Sequence, residues 1–313
     1  MLTDDQFLDH IQKRDKKPPP VLYKFTSIET ARIIMSSGTL RFQSPLKYND
    51  PFDSQWDFLW PVHTPEAQSQ LSELLERAIR DQSSWPLDID PARRDALIRE
   101  REKLAKIPSA EADSRISTLK NQIHDTGEAS TARFHDLILN LLQRMRVCCL
   151  CENSNSVLMW SHYACEHRGV VLGFDTAALE LTLRCPLEPV EYLLYLPKLI
   201  DADDWAKSAV FGLADPELQG APRLWALSKS DVWSYEREWR FVSVAARGKL
   251  GDFEDFRFPR AALVELVLGC KINEQEATEL RTLATTNRYD IKTIALKRHS
   301  SRFELIGTLL PEK

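Results

Sequence analysis

Apolar positions along this chain follow two different periods. Val21–Phe25 (VLYKF) is β-branched and aromatic and predicts a strand. Ile28–Ser36 follows as a helix, capped by Thr26 or Ser27 and ended by Gly38. Leu40–Gln43 alternates apolar and polar and predicts a second strand. Between 65 and 145 the period becomes helical. Leu71, Leu74, Leu75, Ala78 and Ile79 line one face, and Phe134, Leu137, Ile138, Leu141 and Leu142 another. Breaks near Pro86, Pro91 and Pro108 divide this stretch into three or four helices.

Strand patterns return afterwards. Arg146–Cys151 returns to strand and Val170–Phe174 is an apolar run, on either side of a short helix over Ser156–Ala164. Val190–Leu193 and Trp239–Ala245 read as further strands, and 201–230 as helical. The end of the chain is a strand at Leu263–Leu268, a turn at Gly269 and a helix from Asn273. Strands at Ile291–Leu296 and Phe303–Leu309 follow. The pattern implies an α+β fold with a mixed or antiparallel sheet core and an inserted all-helical region at about 65–145. Residues 1–20 are expected to be an N-terminal arm or helix that stops at Pro18–Pro20, and 21–313 a single α+β domain carrying the insertion.

Composition narrows the class without naming a chemistry. The 313 residues are 43% hydrophobic and 28% charged, which is ordinary for a globular chain with a real core. The net charge of −5 provides no general pull toward nucleic acid or anionic lipid. No apolar run is long enough to span a bilayer, and the first residues have no signal-peptide core. A cytoplasmic protein without membrane partners is expected. Cys148, Cys149 and Cys151 crowd one predicted strand and alternate faces, and His162 and His167 lack the HExxH spacing, so no metal is expected. There is no Walker loop and no G-x-G-x-x-G.

Chemistry-bearing residues concentrate in three motifs. Ser156–Asp175 holds Trp160, Ser161, His162, Tyr163 and Arg168 ahead of the strand that begins at Val170. Successive helical residues lie about 100° apart, so at most two of the first four share a pocket. Trp160 and Tyr163 have the right spacing to stack on a planar ring. The alternative places Trp160 in the core. His162 is a candidate because histidine is the side chain type whose ordinary pKa lies near neutral pH. Arg168 suits a phosphate or carboxylate, or it pairs with Asp175 or Glu166. Asn49, Asp50 and Asp53 crowd a turn-forming loop. On a strand, Glu236 and Glu238 would face the same way, and two adjacent carboxylates raise the pKa of one of them. Their alternative is a salt-bridge ladder with Arg237 and Arg240.

LYKF at 22–25, SGTLRFQSP at 37–45, NDPFD at 49–53, MWSHYACEHRGVVLGFD at 159–175 and YEREWRFV at 235–242 occur in that order. With these motifs the chain resembles the bacterial family called domain of unknown function 2971, from about Leu22 to the C-terminus and without the 65–145 stretch. The resemblance carries no activity; relatives associated with abortive infection imply an anti-phage defence or toxin role. The strand–helix–SG-x-L opening and the Glu-x-Glu pair are also similar to ADP-ribosyltransferase folds, although Lys24 stands where those enzymes carry His or Arg. That similarity implies an ADP-ribosyltransferase-like enzyme acting on NAD or a nucleotide. Glu238, Glu236 and His162 would be its catalytic candidates. Lys24, Trp160, Ser161, Tyr163, Arg168, Asn49, Asp50 and Arg240 would bind substrate, and a protein or nucleic acid would be the acceptor. Two other readings stay open. One is a metal-independent nuclease built on His162, Glu238 and Lys24. The other is a non-catalytic binding or sensor module that recognises its partner through the 65–145 helices.

Overall fold

A computed structural model describes residues 16–54, 64–196, 201–212, 224, 226–245 and 251–311. Residues 1–15 of the expected arm at 1–20, most of the 213–225 stretch and the side chains of Phe134, Leu137 and Ile138 lie outside the described residues. The chain divides into two units. One comprises 1–55, 141–194 and 226–313, and the other 56–140 and 195–225.

The first unit is built on a mixed sheet. Its strands are β1 (Val21–Thr26), β2 (Thr39–Gln43), β3 (Met145–Cys151), β4 (Val170–Asp175), β5 (Leu187–Pro189), β8 (Glu238–Val244), β9 (Phe253–Arg257), β10 (Leu263–Leu268), β11 (Lys292–Arg298) and β12 (Leu305–Leu309). The order runs β12-β11-β10-β4-β1-β3-β2-β9, with β8 joined to β3 and β5. The pairings are antiparallel except β10 with β11. Two short strands, β6 (Glu191–Leu193) and β7 (Ser228–Ser230), form a separate parallel pair. The α+β class and the mixed sheet therefore hold.

Central strands carry the core because both of their faces are covered. Leu22, Leu172, Phe174, Leu150, Trp239 and Phe241 join one cluster with α1 (Ile28–Ser37), whose Ile28, Ala31, Ile34 and Met35 face inward. Ser27 caps α1 by accepting from Thr30 N–H, and Gly38 ends it at φ 66°, a backbone shape that a side chain would strain. A second cluster on the opposite side packs Phe25, Val171 and Val267 against Met159 and Trp160 of α5 (Val157–Tyr163).

The second unit is helical. It holds α2 (Pro65–Arg80), α3 (Pro91–Leu104) and most of α4 (Ser109–Arg144), with α7 (Ala202–Phe211) from the later segment. Leu71, Leu75, Ala78 and Ile79 of α2 pack with Trp205, Ala206 and Val210 of α7. Thr64 caps α2 and Asp90 caps α3, each ahead of a proline that opens the helix.

Several local expectations are corrected. The 201–230 stretch is not helical throughout: Ser228–Ser230 is a strand paired with β6. Phe303 precedes β12 rather than starting it. β9, with its exposed alternation FEDFR, and the helix α6 (Thr176–Leu183) were not anticipated. Asp175 caps α6 by accepting from Ala178 N–H.

Candidate active site

Glu236 and Glu238 do not lie on one strand. Glu236 ends a 3₁₀ turn (Asp231–Glu236), Arg237 adopts a left-handed backbone at φ 44°, and Glu238 opens β8. The kink at Arg237 still brings both carboxylates to one ammonium. Lys229 Nζ donates to Glu236 Oε2 at 2.6 Å and to Glu238 Oε2 at 3.2 Å, and lies 3.5 Å from Asp53 Oδ2.

Arg240 holds the other side of this cluster and is 0% exposed. Its Nε and Nη2 donate to the two oxygens of Glu238 at 2.9 and 3.1 Å. Nη1 and Nη2 donate to the two oxygens of Asp53 at 2.9 and 2.7 Å, and Nη1 also donates to Ala226 O at 2.8 Å. All five N–H groups of the guanidinium are therefore used, as a buried arginine requires. The Tyr48 ring lies 5.5 Å from the guanidinium carbon. Arg240 is thus a structural tie between Asp53 and Glu238, not a group exposed to substrate.

Three buried carboxylates, Asp53, Glu236 and Glu238, meet two buried cations, Lys229 and Arg240, and Lys24 is a third cation on the same cavity. The two glutamates are unequal within this cluster. Burial works against the Glu238 anion, but Arg240 and Lys229 outweigh it and hold its pKa well below the carboxylate range. Burial raises Glu236, and the neighbouring Glu238 charge raises it further, against Lys229 and Tyr163. Tyr163 OH donates to Glu236 Oε1 at 2.8 Å, and burial beside that carboxylate pushes its own pKa up.

A cavity of about 480 Å³ opens onto this cluster; its lining includes Lys24, Asn49, Asp53, Tyr163, Lys229, Glu236 and Glu238. That volume lies in the range of small-molecule sites. Lys24 is half-buried and donates to Cys149 O at 3.2 Å. Burial opposes its charge and the Glu238 carboxylate favours it, leaving the pKa above the ordinary lysine value. Cys149 and Cys151 face the cavity as i and i+2 residues of β3, and burial keeps both thiols protonated.

The remaining candidates scatter. Trp160 is 0% exposed, donates its indole N–H to Ser154 O at 2.7 Å and packs edge-on against Phe25, so it is core and does not share the cavity with Tyr163. His162 is exposed and absent from the cavity lining. Its ring centroid lies 6.1 Å from that of Tyr163 and 6.4 Å from those of Trp233 and Tyr235. Lys24 and Glu238 thus share a cavity that His162 does not line. Ser161 Oγ donates to Val157 O at 3.0 Å. Arg168 is exposed and pairs with Glu166 at 2.7 Å. Asp50 closes its turn by accepting from Phe52 N–H at 2.9 Å, while Asn49 lines the cavity. Lys229 was not singled out from the sequence. It sits in SKSD, a stretch with no apolar or motif signature, and becomes visible only when Ser228–Ser230 pairs with β6. Among the described residues no group of three His, Cys, Asp or Glu could hold a metal ion, and no helix is long and apolar enough to cross a membrane.

Fold and cavity together define an α+β chain whose sheet buries an ionic cluster beneath a ligand-sized opening. The family described as Protein of unknown function (DUF2971) matches residues 159–241, from α5 into β8. The match covers Trp160, Tyr163, Lys229, Glu236, Glu238 and Arg240, but not Lys24 or Asp53. No curated protein and no solved structure matches the chain.

Proposed function

We propose that this chain is an enzyme that transfers or hydrolyses a glycosyl bond of NAD or a related nucleotide, in the manner of ADP-ribosyltransferases. The observation that carries the reading is the unequal setting of two neighbouring carboxylates that line one cavity: Glu238 accepts twice from Arg240 and once from Lys229, whereas Glu236 meets only Lys229 and Tyr163, an environment that lowers the pKa of the first and raises that of the second. Glu236 has the character of a general base: its raised pKa suits removal of a proton from an attacking water or acceptor hydroxyl. Glu238 remains an anion and fixes Lys229 against Glu236. Lys24 supplies a cation for substrate phosphate, and Tyr163 positions Glu236. Nicotinamide release from NAD tests this directly. Glu236→Gln should lower turnover about a hundredfold or more while leaving the fold intact. A wild-type protein that consumes no NAD, whether or not it binds ADP-ribose, would refute the proposal. Toxicity on expression in bacteria, lost in Glu236→Gln, would tie the activity to a defence or toxin role.

A second reading is a nucleotide-binding module without chemistry. Saturation of Arg240 by five acceptors favours it, because a fully satisfied ionic cluster needs no role beyond holding the site's shape. Saturable binding of ADP-ribose without any NAD turnover would select it.

A further inference from the structure

A second concave surface of about 810 Å³ lies on the same unit, bordered by His167, Lys271, Arg298, His299, Arg302 and Phe303. It shares no lining residue with the first cavity. Helix α5 contributes to both, with Met159 and Tyr163 lining the first and Val157 the second.

Three observations point to a ligand here. First, the charge is positive and incompletely compensated. Arg302 pairs with Glu304 at 3.2 Å, but Lys271 and Arg298 are exposed and form no ion pair among the described residues. This occurs on a chain of net charge −5. Second, Phe303 is 107% exposed, so no packing role accounts for an aromatic ring at that position. Third, the loop presenting these groups is built rather than loose. His299 Nδ1 accepts from the backbone N–H groups of Ser301 and Arg302 at 3.0 and 3.1 Å, which fixes the turn between β11 and β12.

We propose that this surface binds single-stranded nucleic acid. Lys271 and Arg298 would neutralise backbone phosphates, the hydroxyls of Ser300 and Ser301 would donate to phosphate oxygens, and Phe303 would stack on a base. A cationic track interleaved with an exposed ring suits a strand whose bases are unpaired. It suits a run of acidic residues less well, because Asp and Glu side chains offer no ring to stack on Phe303. The proposal does not depend on the chemistry of the first cavity.

Fluorescence anisotropy with a labelled oligothymidylate of about 15 nucleotides tests it on the full chain at low salt. The wild type should bind. Lys271→Ala combined with Arg298→Ala should weaken binding at least tenfold and flatten the log K against log salt slope by about 1.4, the share of two phosphate contacts on a single strand. Phe303→Ala should weaken binding about fivefold or more without changing that slope. All three positions are exposed, so thermal melting should confirm intact folds. The proposal is overturned if the wild type fails to bind, if the variants bind as the wild type does, if polyglutamate binds as tightly as the oligonucleotide, or if inorganic phosphate binds and the oligonucleotide does not.

Discussion

Two isosteric substitutions, two residues apart, should have opposite effects. In Glu238→Gln one carboxylate oxygen becomes an NH₂ group. Oε1 faces Arg240 Nε at 2.9 Å, while Oε2 faces Arg240 Nη2 at 3.1 Å and Lys229 at 3.2 Å. Whichever way the amide turns, it places a donor against a donor and removes the charge that balanced two cations. Removing one member of a buried ion pair costs about 3–5 kcal/mol. Arg240 keeps its two bonds to Asp53, so the lower end, about 3 kcal/mol, applies. For a unit of this size that is a fall of roughly 6–12 °C in melting temperature.

Glu236→Gln meets a different environment. Its amide oxygen can face Lys229, and its NH₂ can face Tyr163, whose hydroxyl accepts as readily as it donates. Lys229 retains Glu238 and Asp53. The expected loss is about 1 kcal/mol, with turnover nearly abolished. Circular dichroism melts and a nicotinamide-release assay on both variants decide the matter. If Glu238→Gln melts within about 2 °C of the wild type, or if Glu236→Gln is the more destabilised of the two, the division into structural and reactive carboxylates is wrong.

Further outcomes follow from the same structure. Glu238 has a depressed pKa when folded, so its stabilisation is present above the ordinary carboxylate range and lost as pH falls toward its folded value. Urea midpoints measured downward from pH 6 should therefore fall more steeply in the wild type than in Glu238→Gln, and parallel slopes would contradict this. Trp160→Ala should cost about 3–5 kcal/mol, because it removes a fully buried ring and its bond to Ser154 O; a small change in melting temperature would return Trp160 to the list of ligand-stacking residues. Gly169→Ala should destabilise by roughly 1–3 kcal/mol, since its Cβ would collide with the Thr26 carbonyl oxygen and lie 2.9 Å from Ala164 O, both backbone atoms; a neutral result in a urea melt would show that β1 and the α5–β4 turn can move apart.

The fold was legible wherever one period dominated. Val170–Phe174 is apolar on both faces because it occupies the middle of a sheet, and Val21–Phe25 and Leu263–Leu268 beside it are apolar apart from Lys24 and Glu265, so all three stand out. β9 and α6 did not stand out. β9 is an edge strand whose charges point to water, and α6 is an eight-residue helix with a cap and too few turns for a period to show. Ser228–Ser230 was assigned to a helix from its Trp- and Ala-rich surroundings. Its strand conformation comes from pairing with residues 191–193, a tertiary preference that local sequence does not carry.

The site was legible as motifs but not as roles. NDPFD and YEREWR both contribute, yet from NDPFD it is Asp53 that holds Arg240 and Asn49 that lines the cavity, while Asp50 closes a turn. The distance along the chain from Asp53 to Arg240 explains why no spacing rule links them. Treating 236–240 as one strand gave the two glutamates a shared face for the wrong reason. In the structure they converge because Arg237 turns through a left-handed conformation and Lys229 approaches from another strand. That route makes the glutamates unequal, since only Glu238 receives the arginine. A flat strand would have offered both carboxylates to the same neighbours and left their pKa values closer together. The inequality on which the proposed chemistry rests is therefore a product of the kink at Arg237. A residue there that resists positive φ, as in Arg237→Val, should disturb the position of Glu236 while leaving the Glu238–Arg240–Asp53 tie in place. Loss of turnover in that variant with most of the thermal stability retained would support this account; equal loss of both would count against it.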